Sequence, residues 1–179
     1  MAEQTETLII IEEEVVMRKA TWAADAPRPV TVDVIIIDDK GQGDFTLDSD
    51  PNGNGVPIVQ DFVLQFNNNQ NDVYSNGFLV TFHLPADKGV NANWTFDDDP
   101  IWAKLLDHHG ACPKNKNDND PNILQIQGLS PDKRYLTVQN DNQTQQYFGF
   151  TLRFASATNH GKTLSYDPIG QNQNGHSLQ

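Results

Sequence analysis

Two segments carry the same oxygen-rich device, Asp48-Ser49-Asp50-Pro51-Asn52 and Asp118-Asn119-Asp120-Pro121-Asn122. The first continues into Gly53-Asn54. Asp48, Asp50 and Asn52 thus offer side-chain oxygens at positions one, three and five of a calcium loop, a glycine makes the sharp turn at six, and Asn54 offers its backbone carbonyl at seven. The match then weakens, because position eight is Gly55 and position twelve is Val59 instead of a bidentate Glu. Asp44 and Asp61 are the nearby acids left to supply the missing ligand. A cation here is expected to be hard and weakly held, with Ca2+ the candidate. The competing reading is an Asx turn with Pro51 preset for a type I or II turn. The second copy lacks the following glycine, runs straight into Ile123-Leu124, and reads as a strand entry.

A third acidic cluster, Asp97-Asp98-Asp99, lies between Trp94 and Trp102, with Asn91 and Asn93 just before it. Asp99 followed by Pro100 reads as a helix N-cap, which leaves Asp97 and Asp98 as the free carboxylates. Trp94, Asp97, Asp98 and Trp102 therefore form a candidate ligand site, an apolar platform bordered by acids that suits a sugar. The alternative is that the tryptophans anchor the helix to a sheet. His108, His109 and Cys112 bring together possible metal ligands, but adjacent histidines on one turn do not easily point at one ion, and a surface loop is the simpler reading. A Cys-His nucleophile pair there lacks an orienting third group.

No serine-nucleophile elbow, phosphate loop, dinucleotide fingerprint or His-Glu-x-x-His helix occurs in the sequence. A glycosidase pair depends on the spacing of two carboxylates in the fold. Every glutamate lies before position 15, which weighs against it.

The elements that must position these residues are read from composition and periodicity. The chain has 179 residues with 37% hydrophobic residues and a mean hydropathy of −0.57. One domain spanning 1–179 is expected, its core concentrated in short strands. A formal charge of −12 repels phosphate backbones and anionic lipid surfaces, and is compatible with cations or basic partners. Nucleic acid and membrane are therefore not expected partners. Cys112 is the sole cysteine, so no intramolecular disulfide and no thiolate zinc cluster can form. The N-terminal residues carry no secretory signal pattern and no segment reaches membrane-spanning length, so a cytoplasmic location is expected.

Residues 77–84 alternate Phe78, Val80, Phe82 and Leu84 against Leu79, Thr81 and His83. Residues 148–154 alternate Phe148, Phe150, Leu152 and Phe154 against Gly149, Thr151 and Arg153. This period of two marks half-buried antiparallel strands. Residues 30–37 form a β-branched run, and weaker candidates lie at 7–11, 15–19, 58–66, 93–96, 123–127, 134–139 and 163–169. The expected fold is all-β, an antiparallel, immunoglobulin-like β-sandwich with long polar loops at 67–76 and 113–122, one short helix at 99–106 and a flexible tail from about 170 to 179.

The closing stretch Leu164-Ser165-Tyr166-Asp167-Pro168-Ile169-Gly170-Gln171-Asn172-Gln173-Asn174, with Asp-Pro pairs beginning at 50, 99, 120 and 167, resembles the bacterial DP-EP family of small proteins. The resemblance implies a compact β-sandwich without an assigned activity, and no functional residue is carried over from it. The functional expectation is a non-enzymatic binding or protein-interaction module, assembling with copies of itself or with another protein. A calcium-assisted carbohydrate-binding module is the alternative, and an aspartate-dependent hydrolase a third reading.

Overall fold

The computed structural model describes residues 27–173 apart from 41–43, 50–57, 60–62, 68–76, 107–109 and 143–145. The strand candidates at 7–11 and 15–19 lie outside the described residues. The strands are β1 (Arg28–Asp38), β2 (Asp44–Ser49), β3 (Ile58–Val59), β4 (Val63–Asn67), β5 (Phe78–His83), β6 (Trp94–Leu105), β7 (Gln125–Leu129), β8 (Tyr135–Asn140), β9 (Gln146–Ser156), β10 (Thr163–Tyr166) and β11 (Ile169–Gln173). Among the described residues the helical turns are two 3-10 turns, Asn91–Asn93 and Lys116–Asp118, and no helix is long and apolar enough to cross a membrane.

The first sheet runs β2-β1-β5-β8-β7. In the second, β9 is the spine: β6 lies along one edge, while β11 and β10 follow each other along the other, with β4 and β3 beyond β11. The fold is all-β, as expected, but the sheets are mixed. β1 pairs parallel with β5 and β4 parallel with β11, which corrects the antiparallel expectation. Each pair is joined by a chain passage too long for a hairpin, and such passages permit parallel neighbours. Ile169–Gln173, where the expected tail begins, is a strand between β9 and β4, and residues 174–179 lie outside the described residues.

The two alternating segments supply the core. Phe78, Val80, Phe82, Phe148, Phe150, Leu152 and Phe154 are all buried. Aromatic contacts join the inner faces of the sheets: Phe66 meets Phe78 at 5.2 Å between centroids, Phe82 meets Phe150 at 5.7 Å, and Phe45 meets Phe154 at 5.7 Å. Asn140 of β8 and Asn172 of β11 exchange amide hydrogen bonds of 2.7 and 3.2 Å across the same gap, so these buried amides satisfy each other.

The helix expected at 99–106 is absent, and its residues up to Leu105 belong to β6. Asp99 caps nothing: its carboxylate accepts from Trp102 Nε1 at 3.0 Å. Pro100 is buried in a bulge, where a strand can spare an N–H. Pairing with β9 from Trp94–Ser156 to Leu105–Phe148 satisfies the backbone and overrides the local helix-start signal.

One buried side chain closes the corner between β5 and β6. β5 ends at His83, opposite Asp33, while β1 continues to Asp38. Asn91 replaces the missing strand: its Oδ1 accepts from Ile36 N–H at 2.8 Å, and its Nδ2 donates to Val34 O at 2.8 Å and Pro85 O at 3.0 Å. Gly89, at φ +52°, lets the backbone turn in so closely that a Cβ there would lie 2.2 Å from Ile36 O.

Truncating Phe82 or Phe150 to Ala is expected to cost about 3–5 kcal/mol each in urea unfolding. Asn91→Ala, which orphans buried backbone groups of β1, should cost a similar ~3 kcal/mol. Variants that melt like the parent would show that these contacts do not hold the sheets.

Candidate functional site

β6 and β9 fall out of step in the middle. Phe96 faces Phe154, but Ile101 faces Leu152, so five steps along β6 match two along β9. An odd surplus of residues reverses which positions point inward. Trp94 and Phe96 are buried before the bulge, Ile101 and Ala103 after it, and Trp102 turns to the outer face. The bulge thus takes apart the expected Trp94–Trp102 platform. Trp94 is fully buried in the core, and Trp102 alone of the two is partly exposed.

Each acid of the triplet has a cationic partner. Arg153 of β9 donates to the Asp99 carbonyl at 2.7 Å and to Asp97 Oδ2 at 3.3 Å, and its guanidinium lies 4.3 Å from the centroid of the Trp102 ring. Asp97 Oδ1 also accepts from the Asp99 N–H at 3.1 Å. Asp98 meets Lys133 Nζ at 2.6 Å, and Lys116 Nζ lies 3.5 Å from Asp99 Oδ2. Asp97 and Asp98 are therefore occupied in fixing the bulge, where sequence had left them as free carboxylates.

Residues 110–120 form an arch over the outer face of β9 and return to the free edge of β6. At its crest Cys112 Sγ lies 3.5 Å from the Asp167 and Pro168 carbonyls, and Thr151 Oγ1 donates to Pro113 O at 2.7 Å. At its return Asn119 Oδ1 accepts from the Ala103 N–H, and the Asp120 N–H donates to Ala103 O, both at 2.7 Å. Gly149 makes the crossing possible, since a Cβ there would meet Cys112 Sγ at 2.9 Å. The second Asp-x-Asp-Pro-Asn device is part of this return. Asp120 Oδ1 accepts from the Asn122 N–H at 3.0 Å, an Asx turn, which agrees with the strand-entry reading.

Between arch and sheet lies a groove of about 440 Å³ lined by Trp102, Pro113, Lys114, Arg153, Thr163, Ser165 and Asp167, with Thr151 and Leu164 at its floor. Among the described residues the side chains of Lys114, Thr163, Ser165 and Asp167 make no hydrogen bond or ion pair. Here an indole, two hydroxyls, an ammonium and a carboxylate border one space. The sequence put Trp102 forward but not the other groups. Of these, Thr151 and Arg153 alone left a signal, as outward positions of the 148–154 alternation.

The calcium candidate is described only at Asp48, the others, Asp50, Asn52 and Asn54, lying outside the described residues. Asp48 ends a polar row across the outer face of the first sheet. Lys88 Nζ lies 3.7 Å from Asp48 Oδ2 and 2.8 Å from Asp33 Oδ2, and Asp33 Oδ1 pairs with His83 Nδ1 at 2.8 Å. His83 in turn stacks on Tyr135 at 4.4 Å. The hydrogen bond to Asp33 raises the pKa of the Lys88 ammonium, so a cation already stands beside Asp48. Among the described residues no three His, Cys, Asp or Glu side chains converge where they could hold a metal ion. His108 and His109 lie outside the described residues.

No protein-family model matches the chain, and no curated protein is significantly similar to it in sequence.

Burial first, and the Asp167 charge second, push the Cys112 thiol above the ordinary cysteine value. Cys112 should therefore react with a disulfide reagent at pH 8 roughly ten-fold more slowly than an unstructured cysteine. Gly149→Ala should lift the arch, speed that labelling and cost about 1–3 kcal/mol. Labelling at the unstructured rate in the parent would contradict the arch.

Proposed function

We propose that this protein is a non-catalytic β-sandwich binding module whose ligand seat is the groove beneath the arch. The observation that supports this most is the pairing of a held, partly exposed Trp102 with the uncommitted Lys114, Thr163, Ser165 and Asp167 in one open space. Small-ligand sites combine an apolar surface with a few convergent polar groups. The engagement of Asp97, Asp98 and Asp99 by Arg153, Lys133 and Lys116 favours binding over aspartate-dependent hydrolysis, because carboxylates tied up in ion pairs are poorly placed to exchange protons with a substrate. An immunoglobulin-like relationship is part of the same proposal, since modules of that kind expose ligand surfaces on a sandwich of short strands. The DP-EP resemblance of the closing stretch fits it and adds Ser165 and Asp167 to the region of interest without assigning them a role.

Carbohydrate is the ligand class favoured by the lining, as an indole with hydroxyl, guanidinium, ammonium and carboxylate neighbours can pack against a pyranose and bond its hydroxyls. In this reading the sugar is held without calcium, because the calcium candidate around Asp48 belongs to the other sheet.

A glycan array, followed by calorimetry of any positive, tests the proposal. Binding should persist in EDTA and fall at least ten-fold in Trp102→Ala and in Ser165→Lys, the second of which leaves the Arg153 stack intact. Binding that vanishes with EDTA, or is unchanged in both variants, would move the ligand site away from the groove.

A further inference from the structure

The edges of the two sheets differ in what they offer to another chain. On β6, Phe96 N–H is taken by Lys133 O at 2.9 Å, and Ala103 is paired through both N–H and C=O with Asn119 and Asp120. β3 is two residues long, β10 is flanked by Lys162 and Asp167 and lines the groove, and β2 carries Asp44 and Asp48. β7 is different. Residues 121–131 contain no charged side chain, although the chain as a whole has a net charge of −12. Among the described residues β7 pairs with β8 alone. Ile126 is 49% exposed, Gln127 and Gly128 are exposed, and a Cβ built on Gly128 would meet nothing within 4 Å.

An exposed, uncharged strand edge is a template for another strand, and single-chain proteins usually blunt such edges with lysine, proline or charge. β7 has only its bulge between Ile126 and Gly128.

We infer that β7 is a self-association edge, pairing antiparallel with β7 of a second copy about a two-fold axis. The charge pattern selects this occupant. A basic partner, which the acidic chain attracts from a distance, finds no carboxylate on β7 to meet, whereas a second acidic copy finds no like charge there to repel it. Two-fold pairing of Gln125-Ile126-Gln127-Gly128-Leu129 sets Gln127 against its own copy and Ile126 beside Gly128, so no charged or bulky pair clashes. The assembly closes at two copies. Among the described residues each protein has one such edge, and the acids of β2 repel a further addition at the opposite end of the sheet. The short, bulged ladder makes the dimer weak, and the net charge makes it tighten as salt screens the repulsion.

Sedimentation velocity of the full chain, from micromolar to near-millimolar concentration and at low and high salt, tests this. The expected result is a monomer–dimer equilibrium shifted toward dimer by salt. Ile126→Lys should shift it at least ten-fold toward monomer while leaving the melting temperature unchanged, and Thr46→Lys on the β2 edge should leave it as in the parent. A monomer under every condition, a dimer indifferent to Ile126→Lys, or an equal loss in both variants would overturn the inference.

Discussion

Arg153 holds the middle of the second sheet in register with itself. Its guanidinium spans the β6 bulge, donating to the Asp99 carbonyl and the Asp97 carboxylate while lying over Trp102. Without it, Asp97 and Asp99 would lose the cation they share on a bulged strand, and like charges so close are unfavourable. With it, the bulge is fixed, the inward and outward positions of β6 exchange, and Trp102 faces outward above β9. The arch, the groove and the polar rim all follow from that exchange. The paired charges are partly buried, so the network acts as a specifier of one arrangement more than as a reserve of stability.

The first sheet rests on a different device. The amide of Asn91 completes the edge of β1 where β5 has already ended, and brings the chain back at the angle from which β6 enters the second sheet. Arg134 adds a second tie, donating to the Asn91 carbonyl at 2.7 Å. One uncharged side chain thus links the two layers at a corner where no ladder runs. Burying it is favourable only because every polar atom of the amide finds a partner.

The core strands were legible because each buries one face, and a period of two survives in Phe78 to Leu84 and Phe148 to Phe154. β2 was missed: Asp44 to Ser49 reads as the approach to an Asx-rich loop, and only Phe45 and Leu47 mark its inner face. The helix expected at 99–106 failed because Asp99-Pro100 is a local signal, while the partner that settles the matter, β9, lies about fifty residues away. Periodicity could not carry through the bulge either, so Trp94 and Trp102 looked equivalent although they point in opposite directions. The groove was illegible for a related reason. Its lining comes from β6, the arch, β9, β10 and the β10–β11 turn, and only pairing to a common strand gathers Trp102, Lys114, Arg153, Ser165 and Asp167.

The outer face of the second sheet is the proposed working surface, and the outer face of the first, with its closed Asp33, His83 and Lys88 contacts, a supporting one. Nitrogen–proton correlation spectra of the labelled protein, recorded during titration with a panel of neutral oligosaccharides, test that division directly. The expected result is shifts in the Trp102 indole N–H and in the amides of Lys114, Thr163 and Ser165, with His83 and Tyr135 unmoved. Shifts centred on His83, Tyr135 and Asp48, with Trp102 unmoved, would contradict it.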